Sequence, residues 1–125
     1  MHVEVREKSG VVIVDLKGKL TAGLGDQILR ESIDELLAEG RKKILLNLSE
    51  VSFVDSAGVG ELVAGLRTAK RFGAALKLLN ATERVQSTLY MARLLPIFEM
   101  YGDETEEVAT FDAAAGPGPG SGTVH

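Results

Sequence analysis

The residues best placed for chemistry fall in one run, Val54-Asp55-Ser56-Ala57-Gly58-Val59-Gly60, where a carboxylate and a hydroxyl stand side by side. Such a pair first suggests nucleophilic catalysis, which needs an imidazole held rigidly against the hydroxyl. The chain has two histidines, His2 and His125, one near each end of the sequence. Chain ends rarely supply a rigid base. Nor does Ser56 have the Gly-x-Ser-x-Gly frame of a nucleophile elbow, because position 54 is Val. The expectation is that the chain is not an enzyme. With no cysteine and no internal histidine, the expected metal set is also none. Two glycine pairs, Gly23-Leu24-Gly25 and Gly58-Val59-Gly60, resemble phosphate-cradling loops only in part. Ile28 and Val63 stand where each would need its third glycine, and no Gly-Lys-Ser/Thr occurs. No cofactor is expected.

Two readings of Ser56 remain. Aspartate and serine are favoured helix N-caps, so either Asp55 or Ser56 can accept a bond from the free amides that follow. Alternatively the serine is acted upon by another protein. The following helix carries Gly58, Gly60 and Gly65, each costing about 1 kcal/mol relative to Ala. Gly58, Glu61, Gly65 and Thr68 are expected on the face opposite Val59, Leu62, Val63 and Leu66. The expectation is a bare, solvent-facing surface that a partner's backbone can approach, with Gly60 assigned to internal packing. A phosphate on Ser56 would add about −1.5 to −2 charges there. A helix N-terminus tolerates such an anion. A docked partner would lose its fit beside Asp55 and Glu61 while the fold survives.

Several elements must position this run. Val3 and Val5 alternate with Glu4 and Arg6, suggesting a half-buried strand; Lys8-Ser9-Gly10 turns the chain into Val11-Val12-Ile13-Val14-Asp15-Leu16. The pair reads as a β-hairpin. After Gly18-Lys19-Leu20-Thr21-Ala22-Gly23, helical spacing places Ile28, Leu29, Ser32, Ile33, Leu36 and Leu37 on one face, stopped by Gly40. Ile44-Leu45-Leu46-Asn47-Leu48 reads as a buried strand, and Ser49 to Val54 as an approach to Ser56. A second helix ends at Gly73, before the strand Ala74-Ala75-Leu76-Lys77-Leu78-Leu79. Asn80 to Glu83 has capping-box spacing and opens a third helix burying Val85, Leu89 and Ala92. Pro96 breaks the chain before a short strand at Ile97 to Met100, and Asp103 to Phe111 reads as an acidic last helix. The Gly/Pro-rich residues 113–125 offer little to pack and are expected to be disordered.

The resulting fold class is α/β: a small mixed, mostly parallel β-sheet with an N-terminal hairpin and about four helices packed largely on one side. One domain over residues 1–112 fits the length of 125 residues. The net charge of −4 and the dispersed lysines and arginines argue against nucleic acid, which calls for dense positive charge. The only tight basic group is Arg41-Lys42-Lys43. No apolar run approaches the ~20 residues of a membrane span, and the first residues lack a signal-peptide pattern. A cytoplasmic location without membrane insertion is expected.

The stretch Leu46-Asn47-Leu48-Ser49-Glu50-Val51-Ser52-Phe53-Val54-Asp55-Ser56-Ala57-Gly58-Val59-Gly60 resembles the signature of the STAS domain of bacterial anti-sigma factor antagonists. The resemblance implies the STAS fold over residues 1–112. It implies that Ser56 is the phosphoacceptor for an anti-sigma factor with serine kinase activity. The unphosphorylated protein binds that kinase and frees its sigma factor, and a phosphatase resets the cycle. Partner contact is then expected at Thr21, Asp55, Gly58, Glu61 and Gly65. One departure stands out: family members commonly carry an acid after Gly-x-Leu, whereas Gly18-Lys19-Leu20 is followed by Thr21. That change implies altered kinase recognition or different regulation. Two alternatives stay open. One is an accessory or interaction subunit, for example of a lipid-transport complex, without a phosphorylation cycle; the other is a small-ligand or nucleotide-binding regulator.

Overall fold

The structure, a computed structural model, describes residues 1–102. Strand β1 (His2–Lys8) pairs antiparallel with β2 (Val11–Leu20), and Lys8 lies opposite Val11. Only Ser9 and Gly10 connect them, with φ of 52° and 81°. Two consecutive left-handed residues give the turn whose twist matches the strands it joins. The expected hairpin is present, with one correction. Of β1 only Val3 is half-buried, and Val5 is 55% exposed, because β1 is the sheet edge and has little over it.

The chain continues through α1 (Gly25–Ala38), β3 (Lys43–Val54), α2 (Ser56–Arg71), β4 (Ala75–Leu79), α3 (Glu83–Met91), a 3-10 turn at Leu95–Ile97 and β5 (Met100–Tyr101). The sheet order is β1-β2-β3-β4-β5, and every pairing after the hairpin is parallel. Parallel neighbours need a crossover, and α1, α2 and α3 supply the three. Gly40 (φ 83°) and Gly73 (φ 70°) follow the ends of α1 and α2, where a left-handed residue closes the last turn.

Alternation divides the strand residues between two clusters. Val12, Val14 and Leu16 of β2, Ile44, Leu46 and Leu48 of β3, and Leu76 and Leu78 of β4 join Leu29 and Ile33 of α1, Leu62 and Leu66 of α2, and Val85 and Leu89 of α3 in one core. Val11, Ile13, Leu45 and Leu79 form a separate cluster. Beside it, Asp15 ties three strands together. Its carboxylate accepts from Arg6 at 2.6 and 3.1 Å and from the Asn47 side-chain amide at 2.8 Å. The Arg6 hydrogen bond is the main reason that the Asp15 carboxyl titrates below its ordinary range.

Four boundaries differ from the sequence expectation. Residues Ser49 to Val54 continue β3 rather than leading up to Ser56, in register with Lys17 to Leu20. Register shifts between Asp15 and Lys17 and between Gly18 and Lys19 break the alternation that would have revealed them. The cap of α3 is Thr82, whose hydroxyl accepts from the Val85 amide at 3.2 Å; Asn80 instead takes a left-handed φ of 55°. Ala92 is the exposed C-cap of α3, not a core residue. The last strand begins at Met100 because Leu95–Ile97 is taken up by the 3-10 turn. Three α-helices are present among the described residues, against about four expected. The acidic segment from Asp103 to Phe111 and the tail at 113–125 lie outside the described residues.

Candidate functional site

Strands β2 and β3 end side by side, Leu20 opposite Val54, and the candidate site is built on those two ends. The Asp55 amide donates to the Leu20 carbonyl at 3.2 Å, so the turn into α2 is anchored on β2. Asp55 is the N-cap of α2. One carboxylate oxygen accepts from the Gly58 amide at 2.9 Å, and the other from the Ala22 amide at 3.0 Å. A single side chain thus satisfies a free helix amide and clips the β2–α1 loop to the start of α2. Those two backbone bonds, Ala22 first, hold the Asp55 carboxyl below the usual carboxylate range.

Ser56 follows as the first residue of α2 and is exposed. With Asp55 acting as the cap, the Ser56 hydroxyl has no hydrogen-bond partner among the described residues. The two capping candidates of the sequence are therefore distinguished: the aspartate caps and the serine projects. Thr21 is half-buried, and its carbonyl accepts from the Asp26 amide at 3.1 Å in the first turn of α1.

The glycines reverse the wheel-based expectation. Gly58 and Gly65 are buried, and Gly60 is exposed. A Cβ on Gly58 would lie 2.1 Å from the Leu20 carbonyl oxygen, and one on Gly65 would lie 2.6 Å from Ile33 Cδ1. Nothing lies within 4 Å of the Cβ position of Gly60. The physical reason is helix geometry: Gly58 and Gly65 stand four and three positions from Leu62, so they lie beside the core stripe on the side where α1 packs, and the outer face carries the exposed Gly60, Ala64 and Arg67. Gly58 and Gly65 are therefore packing residues of the domain, not members of a bare outer face. Glu61 lies on the same inner side and pairs with Arg30 of α1, whose Nε donates to Glu61 Oε1 at 3.1 Å. The Glu61 side chain is only 12% exposed. That pairing raises the Arg30 pKa further.

Of the six site residues named from the sequence, Thr21, Asp55 and Ser56 meet at the strand ends. Gly58 lies directly beneath, while Glu61 and Gly65 run down the α1–α2 groove. Two groups had no sequence signal: the Ala22 amide, because any residue supplies one, and Arg30, which reads as an ordinary surface cation. Gly25 is a third. A Cβ there would lie 2.5 Å from the Lys19 carbonyl oxygen, so the start of α1 is seated tightly on the end of β2. Its place in Gly23-Leu24-Gly25 was the only hint.

Fold and site together define a small α/β domain that displays a serine at a helix start and surrounds it with packed backbone. The chain belongs to the STAS domain family, whose profile matches residues 2–107. It is 24% identical over 116 residues to an anti-sigma F factor antagonist of Paenibacillus polymyxa, covering 92% of this chain and 98% of that one. It is 29% identical over 85 residues to the anti-sigma-B factor antagonist of Bacillus subtilis, covering 68% and 76%. Its fold matches that of the Bacillus cell fate determinant SpoIIAA in the phosphorylated form, with a TM-score of 0.67 at 21% identity over 88% of this chain and 99% of that one. Among the described residues, no helix is long and apolar enough to cross a membrane.

Proposed function

We propose that this chain is an anti-sigma factor antagonist switched by phosphorylation of Ser56. The observation that carries the reading is the division of labour at the helix start: Asp55 performs the capping, and Ser56 is left exposed with an unengaged hydroxyl. The relatives named as antagonists of anti-sigma factors support the partner class. In this reading the partner is an anti-sigma factor with serine kinase activity in the cytoplasm. The partner's ATP donates its γ-phosphoryl group to Ser56 Oγ. The new Oγ–P bond forms as the bond to the β-phosphate oxygen breaks, and the hydroxyl proton passes to a base of the kinase. This chain supplies the nucleophile and no catalytic group. A phosphatase reverses the modification.

The switch follows from charge and space. Asp55 and Glu61 are already held within the domain, one by backbone amides and one by Arg30. A phosphate placed on Ser56 changes the surface around it more than it changes the fold. The expected result is that Ser56→Ala captures the anti-sigma factor as wild type does, while Ser56→Asp melts at the same temperature and captures none. Equal capture by the two variants overturns the switch. An intact mass of wild type without added phosphate, after incubation with the captured kinase and ATP, overturns the phosphoacceptor role.

A further inference from the structure

Val11, Ile13, Leu45 and Leu79 are each at most 1% exposed, yet among the described residues their cluster holds strand residues alone. The buried side chains of α1, α2 and α3 all join the other cluster, on the opposite face of the sheet. A sheet face cannot bury itself, because strand side chains stand out from it and need a second layer. Register shows what rims the four. Arg6 lies opposite Ile13, Lys8 opposite Val11, Lys77 opposite Leu45 and Tyr101 opposite Leu79, while Lys43 is two positions before Leu45. Side chains so placed share a face. Lys77 is the buried cation: its side chain is 4% exposed, 3.7 Å from Glu99 and 5.8 Å from the centre of the Tyr101 ring. The acids of this face, Glu4 and Asp15, lie beyond the cluster, and Asp15 is held by Arg6 and Asn47. The patch is apolar at its centre and cationic at its rim.

We propose that residues 103–112 of the same chain are the layer over this face, with Val108 and Phe111 set against the four apolar side chains. The segment begins after Gly102, next to Tyr101 on the same face. As a helix it would span about 15 Å. From β4 to β2 is two strand spacings, about 10 Å, so the segment reaches across the cluster. Its charge complements the rim: Asp103, Glu104, Glu106, Glu107 and Asp112 are acidic, and no lysine or arginine follows Gly102. At helical spacing Glu104, Glu107, Val108 and Phe111 share one side. Two apolar side chains flanked by carboxylates thus meet apolar side chains rimmed by cations. A carboxylate brought over the sheet also compensates the buried Lys77 ammonium. The family profile runs on to residue 107, past β5. The cluster sits at the start of β2, whereas Ser56 follows the strand ends, so nothing at the serine bears on this docking.

The chain has no tryptophan, so Phe111→Trp in the full-length protein gives emission from that site alone. Its quenching by acrylamide is expected to fall well below that of free N-acetyl-tryptophanamide and to stay there on dilution, with a monomer in sedimentation. Melting curves verify that the variant folds, and Val108→Trp carries the test if it does not. Adding Lys8→Glu and Lys43→Glu sets like charge against the acids. The quenching constant should then rise about threefold, the scale of two exposed ion pairs lost. Arg67→Glu, on the outer face of α2, should leave it unchanged. Quenching as strong as that of the free compound overturns the docking and leaves the stems of the rim side chains as the cover. Protection indifferent to Lys8 and Lys43 also overturns it, by putting the segment on another surface. So does protection lost on dilution, which would make a second copy of the chain the occupant.

Discussion

Asp15 and Asp55 are both held below their ordinary pKa, but they are held by different things and so do different work. Asp15 is gripped by side chains, Arg6 and Asn47, at a half-buried position across three strands. Asp55 is gripped by backbone, the Ala22 and Gly58 amides, where two strands end. Side-chain partners can swing away when one is lost, and the strands keep their ladder. Backbone partners cannot leave without moving the loop and helix that carry them. The first region ties a sheet that is already formed; the second fixes the shape of the site.

The largest expected effect lies where that backbone packing has no slack. Gly58→Ala puts a methyl group 2.1 Å from the Leu20 carbonyl oxygen, and backbone must shift to admit it. A loss of about 3 kcal/mol in denaturant unfolding is expected, at the upper end for overpacking. A smaller loss at Gly58 than at Gly65, where the added atom meets only the tip of the Ile33 side chain, would break the contrast between backbone and side-chain contacts. Next comes Asp55→Ala. The Ala22 amide should lose its protection in hydrogen exchange, and phosphorylation of Ser56 should slow, while the hairpin amides stay protected. Loss of protection throughout β1 and β2 would mean that Asp55 holds the whole sheet.

Asp15→Asn should cost about 1 kcal/mol or less in added salt titrations, as for a partly exposed ion pair. Acid unfolding sharpens the pairing. Each carboxyl has a lower pKa folded than unfolded, so each adds stability above the ordinary value of about 3.9. That stability is lost as pH falls through the depressed folded value. The wild-type curve should steepen below about pH 4, and either Asp15→Asn or Asp55→Asn should flatten it. The smallest effect is expected for Gly60→Ala, which meets nothing within 4 Å and should gain up to about 1 kcal/mol of helix stability.

The contrast also accounts for what the sequence could and could not reveal. Hairpin, crossover helices and the place of Ser56 were legible because alternation, helical spacing and turn glycines are local signals. The outer face of α2 was misread because Gly58 and Gly65 were set opposite the apolar stripe, whereas their spacing of four and three puts both beside Leu62, on the side that α1 covers. Gly58 and Gly65 are small to admit Leu20 and Ile33, thirty or more positions away, and no spacing rule reaches that far. Asp55 was legible as a capping candidate, but its second bond, to Ala22, was not. The full length of β3 was hidden by its two extra residues, one between Asn47 and Glu50 and one between Val51 and Phe53, which interrupt the period that marks a strand.

The bond from Ala22 to Asp55 joins residues 33 positions apart. Such a contact forms late, because closing a long loop costs entropy before any contact repays it. A nascent or partly unfolded chain can hold its hairpin and still lack the surface around Ser56. Under the proposed function, recognition of that surface therefore doubles as a test of completed folding, and an immature copy of the chain goes unrecognised.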